Sequence, residues 1–212
     1  MAPQVLEPLL PPGLALDTFD GQAFVGVVPF TMTRVQPVWL PFPLAFHETN
    51  VRTYVHRDGR DPGVWFFSLD AANRLAVAAA RSAWGLPYHF ARMSVARAAD
   101  GAIEYVSERR SRAASGRCSV RARPVGSAAP ATPGTLEHFL LERYFMYVHS
   151  RAGSLWRGQV HHAPYPAQRA EVELCDESLC AAAGIARSAD PPLAHHASGV
   201  DVEIFPLLRV AR

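Results

Sequence analysis

Lysine is absent from this chain of 212 residues, and all 21 lysine-plus-arginine positions are arginine. That absence removes several chemistries. No side-chain amine can form a Schiff base or anchor pyridoxal phosphate, and no phosphate-loop lysine exists. Arginine does not substitute, because its guanidinium stays protonated and presents a fixed fork of donors. A GC-rich coding sequence accounts for the missing residue type, in line with the abundant Ala, Arg and Pro, but the exclusion stands. Cysteine is scarce as well. Cys118, Cys175 and Cys180 are odd in number and lack CxxC spacing, which argues against a disulfide framework and a cysteine-rich zinc site. A reducing cytoplasm is the expected compartment. Charged residues make up 19%, and a net charge of +2 with a pI near 8.6 does not by itself call for nucleic acid. No apolar run approaches the roughly 18 residues of a membrane span. The opening stretch has no basic segment and is broken by Pro3, Pro8, Pro11 and Pro12, so it does not read as a signal peptide.

What is present is apolar material for a sizeable core, 49% of the chain. We read residues 1–212 as a single domain. The 18 prolines are spread along the chain and limit helix length. Between them lie short runs rich in Val, Phe, Tyr and Trp that predict strands at 24–30, 50–55, 64–69, 103–109, 118–125, 155–161, 170–174 and 200–205. Helical spacing predicts helices over 71–84, with Ser68 or Asp70 as N-cap, and over 135–149. Short turns are expected at 6–10 and 177–183. The pattern is α+β, mainly β: curled or closed antiparallel sheets with about two main helices.

Residues 109–134 form the one candidate linker. It holds Arg109, Arg110, Arg112, Arg117, Arg121 and Arg123. No aromatic residue interleaves these arginines to offer a stacking platform, so a hairpin with an exposed basic face is preferred over a nucleic-acid patch.

Two constellations carry candidate chemistry. In His47–Tyr54, Glu48 and Arg52 are four residues apart on a strand and share a face. Buried, they need each other or a ligand; a structural ion pair and a functional pair weigh evenly. In Ala80–Phe90, a helix stops at Gly85 in the left-handed region, and Tyr88 and His89 enter the next strand on opposite faces. Arg157 and His161 share parity and are expected on the far wall of a pocket. Arg143 and Tyr144 either face that pocket or dock a helix, with Arg143 paired to Glu48 or to a carbonyl. His161–His162 and His195–His196 are adjacent pairs, each able to supply one ligand, so no metal and no cofactor are expected. The tryptophans, Trp39, Trp65, Trp84 and Trp156, read as core. Proline shapes 37–46 and 163–166 into loop or edge segments.

Seven segments in order, LPPGLALDTFDGQAFVGVVPF, ETNVRTYV, GVWFFSLDAANRLAV, ARSAWGLPYHFARM, GTLEHFLLERYFMY, LWRGQVHHAPYP and VDVEIFPLLRV, resemble the YqjF-like family. This is a set of uncharacterised bacterial proteins (domain of unknown function 2071) in the acetoacetate-decarboxylase-like superfamily. The resemblance implies a cone-shaped β-barrel with a central pocket. It sets Arg81 at the decarboxylase arginine, Gly85, Leu86 and Pro87 at its turn, Tyr88 at the Schiff-base lysine, His89 at the lysine that follows, and Glu48 at a pocket glutamate. The family's Trp-containing opening strand does not precede Pro3, which leaves closure at that edge a question for the structure. A phenol cannot form an iminium, so decarboxylation through an imine is excluded.

The reading is a pocket for a small organic acid or carbonyl compound. Tyr88 and Glu48 are the catalytic candidates, and Arg52, Arg81, His89, Arg143, Arg157 and His161 are the substrate-binding candidates. The chemistry would avoid an imine: enolisation, hydration or dehydration, or lactone opening. The alternative is a non-catalytic sensing module in the same pocket. A small molecule is the expected partner, with no nucleic acid and no membrane. The superfamily resemblance allows a homo-oligomer, for which no residue pattern fixes an interface.

Overall fold

The computed structural model describes residues 1–35, 43–110, 115–150, 153–188 and 190–210. Arg112, Trp39 and most of the proline-shaped run 37–46 therefore lie outside the described residues. Two short 3-10 turns, Pro3–Val5 and Glu7–Leu9, lead into β1 (Ala15–Leu16), β2 (Val25–Val35), β3 (Leu44–Arg57) and β4 (Arg60–Ala71). Helix α1 (Arg74–Ala83) precedes β5 (Tyr88–Arg97), β6 (Ile103–Arg109) and β7 (Arg117–Ala129). Helix α2 (Leu136–Leu141) is followed by β8 (Phe145–His149), β9 (Leu155–His162) and β10 (Ala167–Glu177). The chain closes with α3 (Leu179–Ala182), β11 (His195–Ala197), β12 (Val202–Ile204) and β13 (Leu208–Arg209).

The hub is β4. One edge pairs antiparallel with β3; the other pairs parallel with β5 through Leu69–Ala71 and parallel with β8 through Gly63–Trp65. From this fork one branch runs β5-β6-β7-β10-β11 and the other β8-β9-β12. The sheet is thus mixed rather than antiparallel. The expected closed barrel is also corrected: the path ends at β11 and β12, which do not pair with each other among the described residues. Only residues 198–201 separate those two strands, so the ends lie within about 18 Å of one another. The sheet is strongly curled and stops short of closure.

Because the sheet curls and forks, both faces of β3 and β4 are covered. One face carries Phe46, Glu48, Asn50, Leu69 and Ala71. It packs on Val77 of α1, on Tyr88 and Phe90 of β5, and on Val148 and Trp156 of the β8–β9 hairpin. The opposite face carries Val51, Ser68 and Asp70. Val51 joins Leu6, Leu16, Cys118, Leu179 and Ile185 there, so the N-terminal turns and α3 close that side. Trp84 departs from the core expectation: it sits at the C-cap of α1 and is 38% exposed.

Local chemistry explains where the elements start and stop. The N-cap of α1 is Asn73, whose Oδ1 accepts from the amides of Leu75 and Ala76 at 3.0 Å each. Ser68 and Asp70, the expected caps, are buried inside β4. Gly85 ends α1 at φ +67°, the left-handed stop. The helix expected over 135–149 breaks after Leu141. Met146 and Val148 alternate with Phe145 and Tyr147, and this period-two pattern pairs with β9. The expected linker is mostly strand, since β7 runs through Pro124 to Ala129.

Gly63 makes the fork sterically feasible. A β-carbon there would lie 2.6 Å from the Phe145 carbonyl oxygen. Gly63→Ala should therefore destabilise the fold by about 1–3 kcal/mol, the range for overpacking, measured by urea denaturation. An unchanged midpoint would show that β8 does not approach β4 this closely.

Candidate functional site

Glu48 and Tyr88 are brought together by the β3–β4–β5 register. Glu48 lies opposite Ala71, and Tyr88 lies opposite Leu69, two residues away on the same strand and face. The small Ala71 lets the two side chains meet over β4. The Tyr88 hydroxyl donates to Glu48 Oε2 at 2.8 Å. Glu48 is 2% exposed. Burial pushes its carboxyl up to about 8; the hydrogen bonds from Tyr88 and Asn50 oppose this, and the nearby Asp70 charge adds to it. The Tyr88 phenol is pushed well above its ordinary range by burial and by Glu48. Near neutral pH the pair is thus mostly a carboxylic acid and a phenol, both uncharged.

Asn50 and Arg52 continue the same row on β3. Asn50 Oδ1 and Arg52 Nε are buried without a hydrogen-bond partner among the described residues. Arg52 Nη2 donates to the Leu140 carbonyl at 3.2 Å, and the Tyr54 hydroxyl donates to that same carbonyl at 3.1 Å. This row therefore holds the end of α2. Glu48 and Arg52 share a face, as their spacing predicts, but Glu48 bonds to Tyr88.

The opposite face of the sheet carries a second buried acid. Asp70 receives a hydrogen bond from Arg109 Nε at 2.8 Å, with side-chain exposures of 0% and 2%. Asp70 Oδ2, Arg109 Nη2, Ser68 Oγ and Ser107 Oγ are buried there without partners among the described residues. His89, opposite Asp70 in the ladder, lies on this face and not with Tyr88. Burial, then Arg109, then Arg81 lower its imidazole to about 4, so it is neutral at physiological pH.

The structure does not gather the other candidates around Glu48. Arg81 is exposed in the last turn of α1. Arg143 pairs with Asp17 at 2.6 Å, donates to the Phe139 carbonyl at 2.7 Å, and lines a cleft of about 400 Å³ beside α2. Arg157 pairs with Asp61 and covers the Phe145 ring. His161 is exposed. Arg157 and His161 do share parity, but it is the parity of Tyr147. Trp156 of β9 turns the other way, toward Tyr88. The inward histidine is His162, which stacks between Tyr144 at 4.7 Å and Tyr165 at 4.6 Å. Glu142 holds this cluster by accepting from the Tyr144 hydroxyl at 2.5 Å and the Tyr165 amide at 3.0 Å.

Four residues of interest were missed by sequence reasoning. Asn50 was within reach, as the residue midway between Glu48 and Arg52 on one face. His162 was lost to a parity choice that only Trp156 decides. Asp70 and Arg109 are 39 residues apart, and no local spacing joins them. Among the described residues no group of three or more His, Cys, Asp or Glu could hold a metal ion, and no helix is long and apolar enough to cross a membrane. The described arginines of the basic stretch face acids: besides Arg109 with Asp70, Arg110 pairs with Glu108, Arg117 with Asp176, Arg121 with Asp100, Glu104 and Glu173, and Arg123 with Glu173.

A curled mixed sheet with these contacts has the acetoacetate decarboxylase-like fold. The acetoacetate decarboxylase of Legionella pneumophila subsp. pneumophila str. Philadelphia 1 superposes with a TM-score of 0.58 at 14% identity, covering 99% of this chain and 80% of that one. A second acetoacetate decarboxylase structure gives 0.63 at 13% identity, covering 98% and 82%. An acetoacetate decarboxylase-like enzyme from Sphingomonas wittichii RW1 gives 0.57 at 12%, covering 100% and 87%. Within that fold the chain belongs to the family of domain of unknown function 2071, an uncharacterized conserved protein family whose profile matches residues 1–201. It is 39% identical over 207 residues to the uncharacterized protein YqjF of Bacillus subtilis (strain 168), covering 96% of this chain and 84% of that protein.

The raised Glu48 carboxyl couples stability to pH. Unfolded, it ionises near 4.5; folded, near 8. Between those values the unfolded chain has released a proton that the folded chain retains, so rising pH favours unfolding. The contribution is complete below 4.5 and lost as pH climbs through 8. Against Glu48→Gln, the native protein should lose roughly 3–5 kcal/mol of relative stability over that window. Parallel pH–stability curves for the two proteins would contradict the assignment.

Proposed function

We propose that the face of the sheet carrying Glu48 and Tyr88 binds a small organic acid or carbonyl compound and moves a proton on it without a covalent imine. The observation that carries this reading is the buried acid–phenol pair at 2.8 Å, with the acid raised to about 8. A carboxyl that titrates near the working pH serves as general acid or base. A phenol that stays protonated can donate to a carbonyl or enolate oxygen. Arg52 sits four residues along the same strand and offers a further donor, its unpartnered Nε. The similar solved structures bear the name acetoacetate decarboxylase, which suggests keto acids and related carbonyl compounds as the first ligands to test. Tyr88 falls where the resemblance sets the imine-forming lysine, so the reactions proposed are enolisation, hydration or dehydration, and lactone opening.

The second reading is a sensor that binds the same compounds without turnover. The acid–phenol pair favours the catalyst, because a binding pocket has no need of a carboxyl raised so far.

The test is exchange of α-protons on a panel of small keto acids and lactones in deuterated buffer, followed by NMR. The native protein should catalyse exchange or conversion of at least one compound. Glu48→Gln should slow it by about 100-fold or more, the usual span for a general acid or base, and Tyr88→Phe by a smaller factor. Binding without exchange, unaltered in both variants, would support the sensor and end the catalytic reading.

A further inference from the structure

All three cysteines of the chain converge on one end of the β7–β10 ladder, on the face away from Glu48. Cys118 lies opposite Glu177, and Cys175 lies opposite Val120, two residues along the same pair of strands. Cys118 and Cys175 are therefore diagonal neighbours on one face, about 7–8 Å apart in a regular ladder, so a bond between them requires the strand ends to draw together. Cys180 is the second residue of α3, just beyond β10, and its amide donates to Glu177 Oε2 at 3.0 Å, the residue opposite Cys118. Cys118 and Cys180 share the hydrophobic cluster of that face.

The three thiols are not alike. Cys118 and Cys180 are buried, and burial pushes both up to about 12, so they stay protonated. Cys175 is partly exposed. Arg187 Nη1 lies 3.2 Å from its sulfur and 3.2 Å from its carbonyl oxygen. Of the three thiols, Cys175 is therefore the one that a dissolved oxidant can reach, and it has a guanidinium at its sulfur. A second thiol nearby can resolve an oxidised sulfur reversibly.

We propose that Cys175 is a peroxide-reactive thiol that is resolved by a neighbouring buried thiol into an intramolecular disulfide. The Cys175 sulfur attacks one oxygen of hydrogen peroxide, its thiol proton is released, and the O–O bond breaks. The departing hydroxide takes a proton to become water, and the sulfur, oxidised by two electrons, becomes a sulfenic acid. The sulfur of Cys118 or Cys180 then attacks the sulfenic sulfur. The S–S bond forms, the S–O bond breaks, and the hydroxyl leaves with the attacking thiol's proton as a second water. Two thiols and one peroxide become one disulfide and two waters. The site does not depend on the proposed function of Glu48 and Tyr88.

The experiment is titration of the native protein with hydrogen peroxide, with thiol counting and peptide mapping under non-reducing conditions. Three free thiols should fall to one, with Cys175 linked to Cys118 or Cys180, and reductant should restore all three. Cys175→Ser should slow thiol loss at least tenfold, and Arg187→Ala several-fold. The Cys118→Ala/Cys180→Ala double variant should trap a dimedone-reactive sulfenic acid on Cys175. Should that variant fail to fold, the peptide map of the native protein decides alone. Three thiols that persist, a disulfide that excludes Cys175, or cross-linking only between chains would overturn the proposal.

Discussion

Both faces of the central strands are buried, and this constrains everything placed on them. Strand β4 shares one edge with β3 and divides the other between β5 and β8, so packed layers cover each side. A charge in such a place must be paired or neutralised. The chain holds two acids there, back to back, and treats them differently. Asp70 meets the guanidinium of Arg109 and is fully buried with it. Glu48 meets only uncharged donors, Tyr88 and Asn50, and the cheapest state of its carboxyl is the protonated one. One acid is thus spent on structure. The other retains a proton that can be given up near neutral pH.

The same layout separates the roles of Tyr88 and His89. Adjacent residues on a strand face opposite ways. The phenol therefore joins Glu48, while the imidazole joins Asp70 and Arg109 and stays neutral beside two guanidinium groups. Arg52, one row further along, anchors α2 through the Leu140 carbonyl and keeps Nε unpartnered. The Glu48 row thereby links the acid–phenol pair to the helix that borders it. Beyond that helix, Glu142 orders the tyrosines that enclose His162.

Much of this was legible in the residues. The alternation in 50–55 set Arg52 and Tyr54 on one face, and the Gly85–Pro87 turn set Tyr88 at the head of a strand. Period-two runs marked most strands to within a few residues. What stayed hidden depended on long-range partners. LEHFLLERYFMYVH has helical spacing throughout, yet its second half becomes β8 because β4 and β9 offer ladders that local propensity cannot see. Arg157 and His161 share a parity on β9, but which parity faces Tyr88 is fixed by the packing of Trp156. The Asp70–Arg109 pair spans β5, and no spacing in the sequence announces it. The fold follows the family resemblance, while the openness of its curl rests on β11 and β12, which do not pair among the described residues.

The proposed chemistry requires Glu48 to be neutral in the folded protein near pH 7, held so by burial against the opposing hydrogen bonds from Tyr88 and Asn50. The most direct measurement is a carbon-13 NMR titration of the side-chain carboxyl carbon of Glu48, assigned by its loss in Glu48→Gln. The expected midpoint is near 8, far above the ordinary value of 4.5. A midpoint at or below 4.5 would mean that the carboxyl is ionised in the fold, and the proposed acid–phenol chemistry would fall with it.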